Sequence, residues 1–187
     1  MRKVIVSEMV SLDGFFAGPD GDINWHVVDE DFNQLAIDLL GSVDTLLFGR
    51  VTYELMKSYW PTETAATDDP IIAEKMNTLP KVVFSKTLEK VEWGEWKNVR
   101  LVKGDLREEV AKLKQEPGKD MVLFGSGKIV SALAQSGLID DYLLFVAPVV
   151  LGNGISLFEG INATIKIKLV GTQRLSSGVV LLRYQGE

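Results

Sequence analysis

Cysteine is absent from this sequence, and histidine occurs once, at position 26. The first absence excludes disulfides, thiolate nucleophiles and cysteine-ligated zinc. The second leaves too little imidazole for a histidine metal site or a catalytic triad. No metal is therefore expected, and any chemistry must come from carboxylates, hydroxyls or a bound cofactor. Apolar runs of the ~20 residues needed to cross a bilayer are also missing, so no membrane partner is expected. Positive charge is in deficit as well: 20 Lys and Arg face 26 Asp and Glu, a formal charge of -6. This argues against nucleic acid, whose binding draws its affinity from clustered cations. Low-complexity tracts and repeats at solenoid spacing do not occur. The opening Met1-Arg2-Lys3 followed by Val4 to Leu12 is interrupted by Ser7 and Glu8 and lacks a small-residue cleavage site. It reads as a strand rather than a signal peptide, and a cytoplasmic protein is expected.

With 46% hydrophobic residues among 187, the chain can bury one substantial core, so one domain over residues 1–187 is expected. Val4 to Val10 reads as a strand, followed by a long loop of turn formers that includes Asp13, Gly14, Gly18, Pro19, Asp20, Gly21 and Asn24. Asp29 to Leu40 places Phe32, Leu35, Ala36 and Leu39 at helical spacing, with acids in the first turn and Gly41 as its end. Short apolar strands are expected at Thr45 to Phe48, Lys81 to Ser85, Asn98 to Val102 and Met121 to Phe124. Helices are expected at Val51 to Lys57, Ile71 to Leu79, Ile129 to Ala134, and from a capping-box pattern at Asp105 to Glu108 on toward Gln115. Ser58 to Pro70 is polar and reads as irregular. From Tyr142 onward the pattern turns strand-rich, with Tyr142 to Val150, Ile165 to Gly171 and Val179 to Tyr184 expected to pair antiparallel. The whole predicts an α/β fold of three layers, α/β/α, around a mixed, mostly parallel sheet with an antiparallel carboxy-terminal edge.

Three strands end alike, in a small residue followed by a polar or cationic one. They are Leu47-Phe48-Gly49-Arg50, Val83-Phe84-Ser85-Lys86 and Leu123-Phe124-Gly125-Ser126-Gly127-Lys128. In an open α/β sheet the carboxyl ends of the parallel strands are where ligands bind, so these ends can converge on one ligand. Gly125 and Gly127 let backbone N–H groups approach a phosphate at a helix start, Arg50 and Lys86 add charge, and Thr52 can donate a hydrogen bond. A glycine turn taken singly is as often a tight connection, and a lone cation is more often a solvated surface charge. Gly125-Ser126-Gly127 also lacks the third glycine of a dinucleotide fingerprint, since Val130 stands there.

Ser11-Leu12-Asp13-Gly14, the strand end Leu46-Leu47-Phe48 with Gly49-Arg50-Val51-Thr52-Tyr53-Glu54, and Gly125-Ser126-Gly127 together resemble the dihydrofolate reductase superfamily. Pro148-Val149-Val150-Leu151-Gly152-Asn153-Gly154, after Gly137-Leu138-Ile139-Asp140-Asp141, is similar to one branch of it. That branch is the reductase domain of the bifunctional riboflavin-biosynthesis deaminase-reductase, with its stand-alone relatives. The resemblance runs from Val4 to Tyr184 and implies a dihydrofolate-reductase-like fold and NADPH as cofactor. It places the NADPH phosphates on Gly49, Arg50, Thr52, Gly125, Ser126 and Gly127, with Lys128 and Ile129 continuing the turn. Ser85 and Lys86 would lie near the adenosine 2′-phosphate. The zinc deaminase half of the bifunctional enzyme needs cysteine ligands, which this chain does not have.

On the substrate side, Asp13 is a candidate catalytic residue, with an Asx turn as its other reading. Among Asp29, Glu30 and Asp31 one acid should cap the helix; Glu30 is favoured as catalytic and Asp31 as substrate-binding. Trp25 is a candidate pocket wall or a loop anchor, and Gly152, Asn153 and Gly154 are candidates for close approach to substrate or for a bulge. His26 reads as a surface or capping residue, and Trp93 and Trp96 have no identifiable chemical partner. The expected activity is NADPH-dependent reduction of a small heterocyclic or imine-like substrate, such as 5-amino-6-(5-phosphoribosylamino)uracil. One alternative is dihydrofolate reductase, which Trp25 to Asp31 permits and Pro148 to Gly154 disfavours; the other is a nucleotide-binding module without turnover. A homodimer is expected from the resemblance and from an apolar edge or face such as Tyr142 to Val150.

Overall fold

Continuous apolar runs, rather than alternation, mark strands covered on both faces. The computed structural model describes residues 1–187. In chain order it contains β1 (Val4–Ser11), β2 (Phe15–Ala17), α1 (Glu30–Ser42), β3 (Val43–Gly49), α2 (Arg50–Tyr59), α3 (Glu63–Asp68), α4 (Pro70–Thr78), β4 (Lys81–Phe84), β5 (Val99–Val102), α5 (Leu106–Gln115), β6 (Asp120–Phe124), α6 (Gly127–Gln135), β7 (Asp141–Ala147), β8 (Ile155–Ser156), β9 (Ile167–Arg174) and β10 (Val180–Gly186). Eight strands form one sheet in the order β5-β4-β3-β6-β1-β7-β10-β9, and β2 pairs with β8 separately. The first six strands in that order run parallel, while β10 pairs antiparallel with both β7 and β9. This is the mixed sheet with an antiparallel edge that the sequence predicts.

Alternate residues along each strand face opposite layers. On one face Val110 and Leu113 of α5 and Val130 and Leu133 of α6 pack on Val4, Val6, Leu47, Met121 and Leu123. On the other, Leu40 of α1, Tyr53 of α2 and Ile72 and Met76 of α4 pack on Ile5, Leu46, Phe48, Val83 and Val122. The amino ends of the strands are tied by buried charge. Arg2 pairs with Asp44 and donates to Thr45 Oγ1 at 2.7 Å, and Lys114 pairs with Asp140, whose carboxylate also accepts from Val4 N at 2.7 Å.

Several boundaries depart from the sequence expectation. Ser58 to Pro70 is not irregular: α2 continues to Tyr59, Thr62 caps α3, and Pro70 opens α4 as its first residue. Only Ala65 of α3 is buried, so no apolar period announced that helix. Helix α1 passes through Gly41 to Ser42 and enters β3 directly. Asp105 caps α5 by accepting from Arg107 N and Glu108 N, without a returning bond from Glu108. Tyr142 to Ala147 is no exposed edge, because β7 lies between β1 and β10; the edge is β9, with Leu169 and Val170 about half exposed. Trp93 does have a partner: it is fully buried, donates from Nε1 to Asn77 Oδ1 at 2.8 Å and stacks on Phe48 at 5.9 Å.

The amino-end clusters yield a stability prediction. Asp140→Ala leaves the buried Lys114 ammonium with only the Leu138 carbonyl and no counter-charge, and should lower unfolding free energy by about 2–3 kcal/mol in urea denaturation. Lys3→Ala, which removes an exposed ion pair with Asp141 at the same end, should change it by less than about 1 kcal/mol. Equal effects would contradict this account of the sheet's amino end.

Candidate active site

The strand order creates a crevice. After β3 the chain moves outward to β4 through α2 on one face, whereas after β6 it crosses to β7 through α6 on the other. The connections leaving neighbouring strands β3 and β6 therefore diverge, and ligands bind at such a switch point, beyond the carboxyl ends of the strands.

At that point two turns interlock. Ser126 Oγ accepts from Gly49 N at 2.9 Å and shares a hydrogen bond of 3.0 Å with Thr52 Oγ1. Gly125 and Ser126 both take left-handed backbone angles, φ 60 and 66. A Cβ on Gly125 would sit 2.2 Å from Thr52 Oγ1, and one on Gly49 would sit 2.5 Å from Ser126 Oγ. The turns touch this closely only because glycine occupies both positions. Since the Ser126 hydroxyl is committed to the other turn, it does not cap its own helix.

Helices α1, α3 and α5 begin with a side-chain cap from Asp29, Thr62 or Asp105 and carry acids in the first turn. Helices α2, α4 and α6 have neither, and of these α2 and α6 start at the interlocked turns. Their first-turn N–H groups and dipoles are left without a negative partner from their own chain segments, a disposition suited to an anion.

A cavity of about 510 Å³ lies in front of these two helix starts. Gly49, Arg50, Thr52, Gly125, Ser126, Gly127, Lys128 and Ile129 all line it, so the structure brings eight of the ten proposed cofactor residues to one place. Ser85 and Lys86 do not line it. Ser85 Oγ accepts from Thr87 N and Leu88 N and closes the turn after β4, and Lys86 is exposed.

The proposed substrate-side residues do not gather there. Asp13 accepts from Gly152 N at 2.8 Å and Leu151 N at 3.2 Å, fastening the loop after β1 to the loop after β7. A hydrogen bond with Ser11, then those with the two N–H groups, holds its carboxyl below the usual range. Asp29 is the α1 cap, held down to about 2 by bonds from Ser177 and Phe32 N, and Asp31 accepts from Ser176 N. Glu30 is exposed on α1, and Trp25 packs against the buried cluster of Met9, Phe145, Ala147, Leu175, Val179 and Leu181. Gly152 and Asn153 are exposed, while Gly154 lies against Ala17 O and Phe15, where a Cβ would clash.

Three titratable cavity residues were not expected there: Glu8, His26 and Glu159, the last of them exposed. Glu8, on β1, is 7% exposed. Strand β6 ends at Phe124, level with Ser7, so Glu8 is the first β1 residue without a β6 neighbour, and its carboxyl accepts from Gly125 N. Burial pushes it up to about 8, partly offset by that N–H. Its sequence signal was the carboxylate interrupting an apolar strand. His26 is half-buried in the same cavity, with its pKa lowered by burial against the pull of the Phe16 carbonyl.

A second cavity of about 700 Å³ lies under α1, lined largely by apolar side chains of α1, α2 and the sheet. It shares Ser7, Phe32, Met56, Phe124 and Phe145 with the first, so the two compartments adjoin.

These features define a dihydrofolate-reductase-like α/β protein with a ligand cleft at the strand ends. The chain belongs to the RibD C-terminal domain family, which residues 2–181 match. Two uncharacterized Bacillus subtilis proteins are similar along nearly their whole lengths: YyaP, 33% identical over 98% of this chain and 94% of its own, and YwjB, 31% identical over 96% of each. A Shewanella sp. PV-4 structure, provisionally named as a riboflavin biosynthesis protein, superposes with TM-score 0.77 at 25% identity over 99% of each chain. The Thermotoga maritima deaminase/5-amino-6-(5-phosphoribosylamino)uracil reductase superposes with TM-score 0.70 at 15% identity, over all of this chain and 57% of that one. An Enterococcus faecalis dihydrofolate reductase complexed with NADP(H) gives 0.64 at 15% identity, covering 99% and 96%.

The interlocked turns can be tested by paired substitutions. Gly125 and Gly137 share nearly the same positive φ, 60 and 63, but a Cβ at Gly137 meets nothing within 4 Å. Gly137→Ala should therefore lower stability by only the backbone penalty, about 1–2 kcal/mol. Gly125→Ala adds a clash with Thr52 and should lower it by about 2–5 kcal/mol in thermal denaturation.

Proposed function

We infer that this protein is an NADPH-dependent reductase acting on a small heterocyclic or imine-like substrate. The observation that carries this reading is the pair of uncapped, acid-free helix starts, α2 and α6, meeting through Ser126 in front of one cavity. That donor set fits a pyrophosphate: N–H groups of two helices, the Thr52 hydroxyl, and Arg50 and Lys128 as the two cations lining the cavity. When bound, the cofactor supplies hydride. The chain supplies placement, an apolar part of the lining from Met9, Phe16, Phe124 and Phe145, and an adjoining apolar compartment for the body of the substrate. The uracil compound in the name of the Thermotoga relative is the first candidate to assay, followed by pterins and folates. A cytoplasmic setting, where NADPH is kept reduced, goes with this reading. So does a homodimer, because β9 leaves Leu169 and Val170 exposed on a sheet edge.

Calorimetric titration should show NADPH binding more tightly than NADH. Arg50 is half exposed and pairs with Glu54 at 3.3 Å, so Arg50→Ala should weaken NADPH by about 10-fold, the low end for a charged donor. Lys86→Ala, outside the cavity, should leave affinity within about 2-fold. Absence of binding by either cofactor would remove this reading, and binding without oxidation by any candidate substrate would leave a nucleotide-binding module. Sedimentation at micromolar concentration should show a dimer; a monomer alone would refute that part.

A further inference from the structure

Glu8 is a buried carboxyl that the phosphate-binding reading does not use. One of its oxygens accepts from Gly125 N in the glycine turn, and the other makes no hydrogen bond within the protein. It forms no ion pair. The charged or titratable groups lining the same cavity are Arg50 of α2, Lys128 of α6, His26 of the loop before α1 and Glu159 of the loop after β8, and none hydrogen-bonds Glu8. Strand β7 presents Leu144 beside it and β6 ends one residue earlier, at Phe124 beside Ser7, while Asp120 and Asp141 lie at the opposite, amino ends of those strands. Its neighbour Ser7 lines both cavities. Glu8 thus stands beside the glycine turn in the wall of the nucleotide cleft, on the sheet face opposite the apolar compartment, with one oxygen pinned and the other free.

We propose that Glu8 is the proton donor of the reductive step, meeting the reacting end of the cofactor and the substrate within the cleft that its free oxygen lines. This rests on the reductase reading. In the step, the carbon of a substrate C=N or C=O bond gains the hydride, with its two electrons, that reduced nicotinamide supplies. The π pair moves to the nitrogen or oxygen, which forms a bond to the Glu8 proton, and Glu8 is left as the carboxylate. Solvent protons restore it. Substrate is reduced and dihydronicotinamide is oxidised to the cationic ring, so charge balances within the cleft: a neutral acid faces the neutral reduced ring, and a carboxylate faces the oxidised cation. Burial holds the acid protonated up to about pH 8, so the proton is in place at neutrality.

The test needs no substrate. NADPH and NADP⁺ carry the same 2′-phosphate, so its titration cancels in the ratio of their affinities, and what remains is the charge of the ring. In wild-type protein the affinity for NADP⁺ relative to NADPH should rise by about 10-fold between about pH 6.5 and pH 9.5, with a midpoint near 8, as Glu8 ionises. Calorimetry in buffers of different ionisation enthalpy should show more proton release when NADP⁺ binds near neutral pH than when NADPH does. Glu8→Gln keeps an oxygen for Gly125 N and should make the ratio independent of pH. A flat ratio in the wild type overturns the proposal, as does a pH dependence that survives in Glu8→Gln, which would assign the titration to another group. Should that variant fail to fold, the wild-type ratio still decides. Failure of both cofactors to bind would instead remove the reductase reading beneath it.

Discussion

The hydroxyl of Ser126 is the contact on which the cleft depends. By accepting from Gly49 N and bonding Thr52 Oγ1, it joins the turn after β3 to the turn after β6. That choice also leaves α6 without a side-chain cap, and α2, preceded by Gly49, has none to offer. Two helices on opposite faces of the sheet thereby direct uncompensated dipoles at one volume. The glycines follow from the same constraint. At Gly49 and Gly125 the space a Cβ would take is filled by the side chains of the opposing turn, and the left-handed angle at Gly125 adds a backbone demand.

The two ends of the sheet divide the work. At the amino ends, Arg2 with Asp44 and Lys114 with Asp140 satisfy buried charge within the chain and fix where the strands start. At the carboxyl ends, polar groups are left available: N–H groups of two helices, Arg50 and Lys128 at the cavity, and one oxygen of Glu8. A buried carboxyl without a cation is costly as an anion, so it persists as an acid.

The sheet, its mixed direction and the two turns that meet at the cleft were legible in the sequence because each has a local signature: a continuous apolar run, a glycine where φ is positive, a cation or hydroxyl one turn into a helix. What was not legible depends on register. Glu8 matters because β6 stops level with Ser7, and no local pattern in β1 reports where another strand ends. The substrate-side acids show the converse. Asp13, Asp29 and Asp31 sit among turn residues that suit function and capping equally, and the structure places their oxygens on backbone N–H groups of neighbouring loops. Helix α3 escaped notice because only one of its residues is buried, and the β2–β8 pair because two or three residues carry no period.

A crystal structure of the protein soaked with NADPH tests the central claim most directly. The account predicts pyrophosphate oxygens within hydrogen-bond distance of the first-turn N–H groups of both α2 and α6, with Arg50 or Lys128 closing over them. A pyrophosphate bound away from these two helix starts, or held by only one of them, would contradict it.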